Sequence, residues 1–216
     1  MEEAFGIPVG TFDVFFETPS SSSQHPSSHK NGLLCPQHRL KLAKYHATGA
    51  DGENQGVGPH RDSSGWLTFL HQVGAERGLE VLDRNDSWIP VNPIAGTFVV
   101  NFGNAFEAAT EGAVRATVHR VKAPTQRERY SIPFFMGLPL DLKVSEIRTF
   151  IPQDVRSMRR RELDQSTVDE ALPSFLDPRW DNLGESVLRK WIRSYQHVGH
   201  KWYGSKAVEY YTQEGM

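Results

Sequence analysis

The sequence predicts a mainly β protein, a sandwich or jelly roll of short strands with C-terminal helices packed outside. Three observations support this fold class. Between residues 37 and 140, short apolar or alternating runs recur at near-regular spacing, and clusters of Gly, Pro, Asn and Asp separate them. After Pro139, the apolar positions change to the period of an amphipathic helix.

Length and composition are those of a chain that folds around its own core. It has 216 residues, of which 38% are hydrophobic, and the single cysteine, Cys35, excludes an intrachain disulfide or a multi-cysteine zinc site. The net charge of −2 leaves no overall positive excess for a phosphate backbone. No apolar run approaches the roughly 20 residues of a membrane span, and the first residues lack the pattern of a secretory signal. We therefore expect a cytoplasmic monomer without a nucleic-acid or membrane partner.

The first 36 residues are predicted to form a short N-terminal segment and a mobile loop. Apolar residues recur between positions 5 and 16. The serine-rich stretch at 19–32 has too few apolar residues to order itself. We interpret its two histidines, His25 and His29, as solvated linker residues.

Residues 37–145 are predicted to be the β core. Polar and apolar residues mostly alternate over residues 38–45, which is typical of a half-buried strand. Six further short runs predict strands at 66–70, 79–82, 88–91, 97–102, 116–121 and 130–135.

Residues 146–216 are predicted to be a helical extension. Apolar residues recur at helical spacing in residues 153–171 and 184–198, with Lys and Arg between them. We expect these helices to lie on the outside of the sheets.

Three residues have the identity and spacing of a metal site. His60 and Asp62 are two positions apart on a strand or its extended end, so their side chains face the same way. His119 lies in a β-branched stretch that begins at Thr117 and that is able to pair beside the first. Two histidines and one carboxylate form the facial triad of non-haem Fe(II) oxygenases, which leaves positions open for a cosubstrate and O₂. Zinc accepts the same ligands, so these residues alone leave the metal open.

A second pair, Arg129 and Ser131, suits a carboxylate. The two residues are again two apart on a predicted strand. A guanidinium binds a carboxylate through two parallel hydrogen bonds, and the serine hydroxyl adds another. Arg127 competes for this role, but only Arg129 has a serine two positions later. The pair predicts a site for the distal carboxylate of a dicarboxylic ligand.

These motifs resemble the iron(II)- and 2-oxoglutarate-dependent dioxygenases, in the branch that includes isopenicillin N synthase and the plant flavonoid and gibberellin oxidases. The resemblance extends from about residue 37 to residue 140. It rests on ordered matches at Gly58-Pro59-His60-Arg61-Asp62-Ser63-Ser64, Leu67-Thr68-Phe69-Leu70, Gly78-Leu79-Glu80-Val81, Trp88-Ile89-Pro90-Val91, Val99-Val100-Asn101-Phe102-Gly103-Asn104, His119-Arg120-Val121 and Arg129-Tyr130-Ser131-Ile132-Pro133-Phe134-Phe135.

The resemblance implies a fold, a metal and a reaction. The implied fold is the double-stranded β-helix, a form of jelly roll. The implied metal is Fe(II), bound by His60, Asp62 and His119. The implied reaction is hydroxylation, desaturation or ring closure of a small organic molecule, with 2-oxoglutarate and O₂ consumed and succinate and CO₂ released.

The resemblance also implies how the cosubstrate is bound. Arg129 and Ser131 match the residues that bind the C5 carboxylate of 2-oxoglutarate. Tyr45 matches a tyrosine that often hydrogen-bonds the same carboxylate. Two positions depart from the family pattern: His46 stands in place of a proline and Asn104 in place of an aspartate. We expect neither departure to touch the triad and His46 to face away from the pocket that Tyr45 faces.

Other prominent residues are predicted to be structural. His71 is interpreted as a structural histidine. Packing in the core or the pocket wall is expected of the large aromatic residues Trp66, Trp88, Phe134 and Phe135.

Three alternatives remain open at the level of sequence. An iron oxidase that does not use 2-oxoglutarate would need the same triad. A catalytically silent jelly-roll module is the second, because family members usually begin with a longer helical region than the one expected here. A nucleic-acid demethylase is the third, and the acidic charge balance argues against it.

Overall fold

The computed structural model describes residues 1–16, 36–49, 55–62, 65–158 and 181–213. They divide into two compact units, one at Gln37–Gly137 and the other drawn from residues 1–36 and 138–216. The first unit ends at residue 137, and the domain boundary that the sequence predicts at residue 145 stays a prediction. The predicted loop histidines, His25 and His29, and Cys35 lie outside the described residues.

The unit at Gln37–Gly137 contains nine described strands. In chain order they are β1 (Arg39–Leu40), β2 (Ala43–Tyr45), β3 (Gln55–His60), β4 (Gly65–Val73), β5 (Leu79–Leu82), β6 (Trp88–Pro90), β7 (Val99–Phe102), β8 (His119–Lys122) and β9 (Arg129–Gly137). All described pairings between them are antiparallel. The prediction of a mainly β core from short strands is confirmed at this level.

The larger sheet has five strands arranged around β9. Strand β9 pairs with β4 on one side and with both β1 and β2 on the other, and β7 pairs with the far side of β4. Side chains alternate between the two faces, as extended backbone requires. Thr68 and Leu70 of β4 line a pocket, whereas Phe69 and His71 alternate with them. His71 therefore faces away from the pocket, and its ring lies 5.8 Å from that of Phe98.

The smaller sheet has the order β3-β8-β5-β6. Its register places Val57 opposite Val121 and His60 opposite His119, with shifts of register along β3. Val121 and Leu79 are buried and line the same pocket as β4 and β9 of the larger sheet. The two sheets thus contribute facing side chains to one pocket within this unit.

A short helix, α1 (Asn104–Ala109), completes this unit, and the sequence did not predict it. Five of its six residues are buried, and the ring of Phe106 packs edge-on against Trp66 at 4.5 Å. The residue before the helix, Gly103, has no room for a side chain, because a Cβ there would lie 2.0 Å from the Gly65 carbonyl oxygen. The packing role predicted for Trp66 agrees with its complete burial.

The second unit is helical in its described part. Its helices are α2 (Val144–Arg148), α3 (Gln153–Arg156), α4 (Leu183–Ser194) and α5 (Gln196–Thr212), and two 3₁₀ turns lie at Glu3–Phe5 and Asp13–Phe15. Phe15 packs edge-on against Phe150, with ring centroids 5.1 Å apart. No helix among the described residues is long and apolar enough to cross a membrane.

The helices differ from the sequence prediction in two places. The helix predicted over 184–198 is two helices, because Tyr195 has φ −135° and ψ 60°. A further kink lies at Gly204, where φ is 80°. The helix predicted over 153–171 is described only as far as residue 158, and α3 ends at Arg156.

Candidate metal centre

Two histidines and an aspartate meet where β3 and β8 pair. His60 ends β3, His119 begins β8, and the two are opposite each other in the register. The Nε2 atoms of both histidines lie 3.7 Å from Asp62 Oδ1. Candidate ligand atoms of the three side chains all lie within 4.8 Å of one another. The paired ends of β3 and β8, with Asp62 two residues after β3, therefore bring together the three residues that the sequence singles out as a triad.

Backbone carbonyl groups fix the orientation of both imidazole rings. His60 Nδ1 lies 2.8 Å from the Gly58 carbonyl oxygen, and His119 Nδ1 lies 3.0 Å from that of Thr117. Because a carbonyl oxygen only accepts, each Nδ1 carries the proton and donates it. In the neutral ring the lone pair is then on Nε2, the atom that faces Asp62. Histidines that bind metals are typically oriented in this way.

The Asp62 carboxylate is also fixed by hydrogen bonds. Its Oδ2 accepts one from Thr68 Oγ1 at 2.6 Å and one from Asn101 Nδ2 at 2.8 Å. The residue is only 7% exposed. The backbone N–H of Asn104 donates to the Asp62 carbonyl oxygen at 2.8 Å. The expectation that Asn104 does not touch the triad is therefore wrong for its main chain.

The donor set fits a divalent transition metal. Two neutral imidazoles and one carboxylate are the ligands of the facial iron triad, and the buried carboxylate supplies the negative charge. Ligand atoms at right angles around a metal with bonds of about 2.1 Å lie about 3 Å apart, and the two separations from Asp62 Oδ1 are 3.7 Å. Among the residues that the structure describes, no second group of three such side chains is close enough to hold a metal.

Arg129 is buried, and two of its donor atoms have no hydrogen-bond partner among the described residues. The residue is 1% exposed, and its Nη2 donates to Gln72 Oε1 at 2.9 Å. Its Nε and Nη1 atoms are buried and have no hydrogen-bond partner among the described residues. Burial lowers the pKa of Arg129, and the neighbouring Tyr45 partly opposes this. A guanidinium remains protonated at neutral pH, so a positive charge faces the pocket with unused donors.

Tyr45 and Ser131 flank the same guanidinium. The Tyr45 ring centroid lies 5.0 Å from Arg129 Cζ, and the two residues are opposite each other in the pairing of β2 with β9. Ser131 is buried and lies one inward position along β9. The backbone of Gly78 passes close by: its φ is 152°, and a Cβ there would lie 3.2 Å from Arg129 Cδ.

One pocket contains all six residues predicted to bind iron or 2-oxoglutarate. Its volume is about 100 Å³, and both sheets line it. The six are the triad His60, Asp62 and His119 and the set Tyr45, Arg129 and Ser131. His46 is outside this set, because its side chain is 75% exposed and its Nδ1 lies 3.3 Å from Glu128.

Sequence reasoning missed three polar residues that contact the predicted ones. Thr68 and Asn101 hold Asp62, and Gln72 holds Arg129. A signal was present, because Thr68 and Asn101 are single polar residues within the apolar strands Leu67-Thr68-Phe69-Leu70 and Val99-Val100-Asn101-Phe102. A buried polar side chain in an apolar strand needs a partner. Which partner it has depends on strand register, which the sequence does not display.

Comparisons with known proteins agree on one superfamily. The sequence model described as 2OG-Fe(II) oxygenase superfamily matches residues 34–138. The chain is 37% identical over 210 residues to the 2-oxoglutarate-dependent dioxygenase frbJ of Dothideomycetidae sp. (strain 11243), covering 93% of this chain and 51% of that protein. The chain thus spans about half the length of this curated relative.

Solved structures show the same fold. A full-length Neurospora crassa protein in complex with alpha-KG is similar with a TM-score of 0.54 and 25% identity, over 66% of this chain and 44% of that one. The same protein with alpha-KG and thymine is similar over 90% of this chain and 50% of that one, with a TM-score of 0.62. At 21% identity, the second match is evidence of fold alone.

Proposed function

We propose that this chain, whose residues 34–138 match the model of the 2OG-Fe(II) oxygenase superfamily, is an iron(II)- and 2-oxoglutarate-dependent dioxygenase that oxidises a small organic molecule. The observation that carries the proposal is the coexistence in one pocket of a His-Asp-His triad and a buried arginine with unused donors. The first suits iron and the second suits the carboxylate of a cosubstrate.

The triad would hold the metal through three atoms. His60 and His119 would each bind through Nε2, because Nδ1 donates to a carbonyl. Asp62 would bind through Oδ1, the oxygen near both imidazoles. When bound, iron(II) and 2-oxoglutarate supply the oxidative chemistry, in which 2-oxoglutarate and O₂ become succinate and CO₂ while the substrate is oxidised.

Arg129 would orient the cosubstrate rather than react. The unpartnered donors of Arg129 would bind the C5 carboxylate, and the Ser131 hydroxyl lies on the same inward face of β9. The Tyr45 ring covers the guanidinium, which limits access of water to the charge pair. Excluding water strengthens such an interaction, because the effective dielectric constant falls.

The two sheets are proposed to form a double-stranded β-helix. Antiparallel pairing throughout, with inward side chains of both sheets around one pocket, supports this architecture. A jelly roll of this kind places the ligand site between its sheets.

The alternative of an iron oxidase without 2-oxoglutarate is less well supported by the site. Such an enzyme would need the triad but no carboxylate site. A buried guanidinium with two unused donors is costly unless a ligand satisfies it. The geometry of Arg129 therefore favours a carboxylate cosubstrate.

Consumption of 2-oxoglutarate tests the proposal. The protein, supplied with Fe(II), O₂, 2-oxoglutarate and a panel of small organic molecules, is expected to release succinate. The variant His119→Ala, which keeps the carboxylate site but loses one candidate ligand, should fall to the background rate. A protein that binds iron yet produces no more succinate than His119→Ala would be a silent module or a different oxidase.

A further inference from the structure

A single oxygen atom of Asp62 receives two hydrogen bonds. Thr68 Oγ1 donates to Oδ2 at 2.6 Å, and Asn101 Nδ2 donates to the same atom at 2.8 Å. The other oxygen, Oδ1, lies 3.7 Å from Nε2 of both His60 and His119. The two oxygens of this carboxylate therefore have separate surroundings, one made of donors and one made of metal ligands.

The two donors are held by the sheet and not by a loop. Thr68 and Asn101 are opposite each other in the pairing of β4 with β7, and both face the pocket. Thr68 is 3% exposed, so water competes little for its hydroxyl. Asp62 lies two residues after the end of β3, a strand of the other sheet. The two bonds thus fix this carboxylate against paired positions of the larger sheet.

We propose that Thr68 and Asn101 are positioning residues that hold Asp62 to one-oxygen binding of the metal. Two hydrogen bonds to an ionised oxygen are charge-assisted, so releasing Oδ2 for the metal would leave two buried donors without a partner. That cost keeps Oδ2 hydrogen-bonded to Thr68 and Asn101 and leaves only Oδ1 to bind the metal. This inference rests on the proposed function, because it concerns the same metal.

One-oxygen binding by Asp62 reduces the number of coordination positions that the protein occupies on the metal. A carboxylate is able to bind through one oxygen or two. When it binds through one, the triad leaves more positions for other ligands, which a two-site cosubstrate and O₂ require. Thr68 and Asn101 therefore act on coordination without touching the metal.

Binding of Co(II), a coloured substitute for Fe(II), tests the inference by affinity and by spectrum. The variants Thr68→Val and Asn101→Leu each remove one donor at similar volume. Each is expected to raise the Kd for Co(II) by about 10- to 100-fold, which is the usual effect of removing a hydrogen-bond partner of a metal ligand. Their visible d–d bands should also change in position or intensity. Thr68→Ser, which keeps the hydroxyl, should restore both affinity and spectrum.

A matched control separates these effects from a general loss of stability. The Thr97 hydroxyl also donates a hydrogen bond, at 2.8 Å to the Ile94 carbonyl, but on an exposed loop. Thr97→Val should bind Co(II) as the unmodified protein does. The melting temperature of each metal-free variant shows whether it is folded, and if Thr68→Val is unfolded, then Asn101→Ala takes its place.

The outcomes distinguish this inference from the proposed function. If the unmodified protein does not bind Co(II), the proposed function fails with the inference. If it binds Co(II), and folded variants at positions 68 and 101 keep its Kd and spectrum, only the positioning role of Thr68 and Asn101 is wrong.

Discussion

At the scale of single residues, neutral side chains form hydrogen bonds with the charged groups of this pocket. Arg129 is held by the amide of Gln72 and not by a carboxylate. Gln72 in turn donates to the Val91 carbonyl oxygen at 3.2 Å, which fixes which of its ends faces the guanidinium. Because no carboxylate neutralises Arg129 among the contacts described, its charge is left for a ligand.

This arrangement makes Gln72→Glu informative. A carboxylate of the same shape at position 72 would pair with Arg129 and compete with the cosubstrate. We expect the Kd of 2-oxoglutarate, measured with Fe(II) in the absence of oxygen, to rise by at least about tenfold, since a charge-assisted hydrogen bond contributes about 1.5 to 3 kcal/mol.

The matched control is Gln72→Leu, which removes the amide without adding charge. It should raise the Kd of 2-oxoglutarate less than Gln72→Glu does. Wild-type affinity in Gln72→Glu would show that Arg129 does not receive the cosubstrate.

The predictability of the site also differs between residues. The identities and two-residue spacings of His60 with Asp62 and of Arg129 with Ser131 were visible in the sequence. The contacts of Thr68, Asn101 and Gln72 were not. Those contacts join residues between 6 and 57 positions apart, and only strand register brings them together.

At the scale of elements, a polar cluster links the edge strand β2 to β9. Lys44 of β2 lies 2.8 Å from Glu128, which precedes β9, and Tyr130 donates to the same carboxylate. The hydrogen bonds from Lys44 and Tyr130 lower the pKa of Glu128 to about 2. This cluster holds β2 beside β9 at the position where Tyr45 faces Arg129.

The lowered pKa of Glu128 has a defined direction of pH dependence. Because the folded-state pKa lies below its usual value of 4.5, the stabilisation is fully present above about pH 4.5 and is lost as the pH falls towards 2. We expect the melting temperature of the unmodified protein to fall more between pH 5 and about pH 2 than that of Glu128→Gln.

The control for charge is Glu76→Gln, in the loop after β4. It removes one negative charge elsewhere in the same unit. Equal acid sensitivity of the unmodified protein and Glu128→Gln would mean that the cluster does not stabilise β2.

The elements also show where sequence periodicity fails. The six-residue helix α1 is too short to display a helical period, so it was missed. The break at Tyr195 was missed because apolar residues continue through it at helical spacing, with Trp191 and Ile192 before it and Val198 after it. The short apolar run predicted as a strand over 79–82 matches β5 in its bounds.

At the scale of the whole molecule, the predicted chemistry lies in one of two units. The sheets and the pocket belong to Gln37–Gly137, and that segment carries nearly the whole of the superfamily match at 34–138. The placement of the C-terminal helices on the outside of the sheets stays a prediction.

Iron and 2-oxoglutarate are proposed to bind together in this pocket. The most direct measurement adds Fe(II) and then 2-oxoglutarate to the purified protein without oxygen and records the visible absorption spectrum. We expect a charge-transfer band that appears only when both are present and that His60→Ala abolishes. A protein that binds both Fe(II) and 2-oxoglutarate but develops no such band would show that the two do not meet in this pocket.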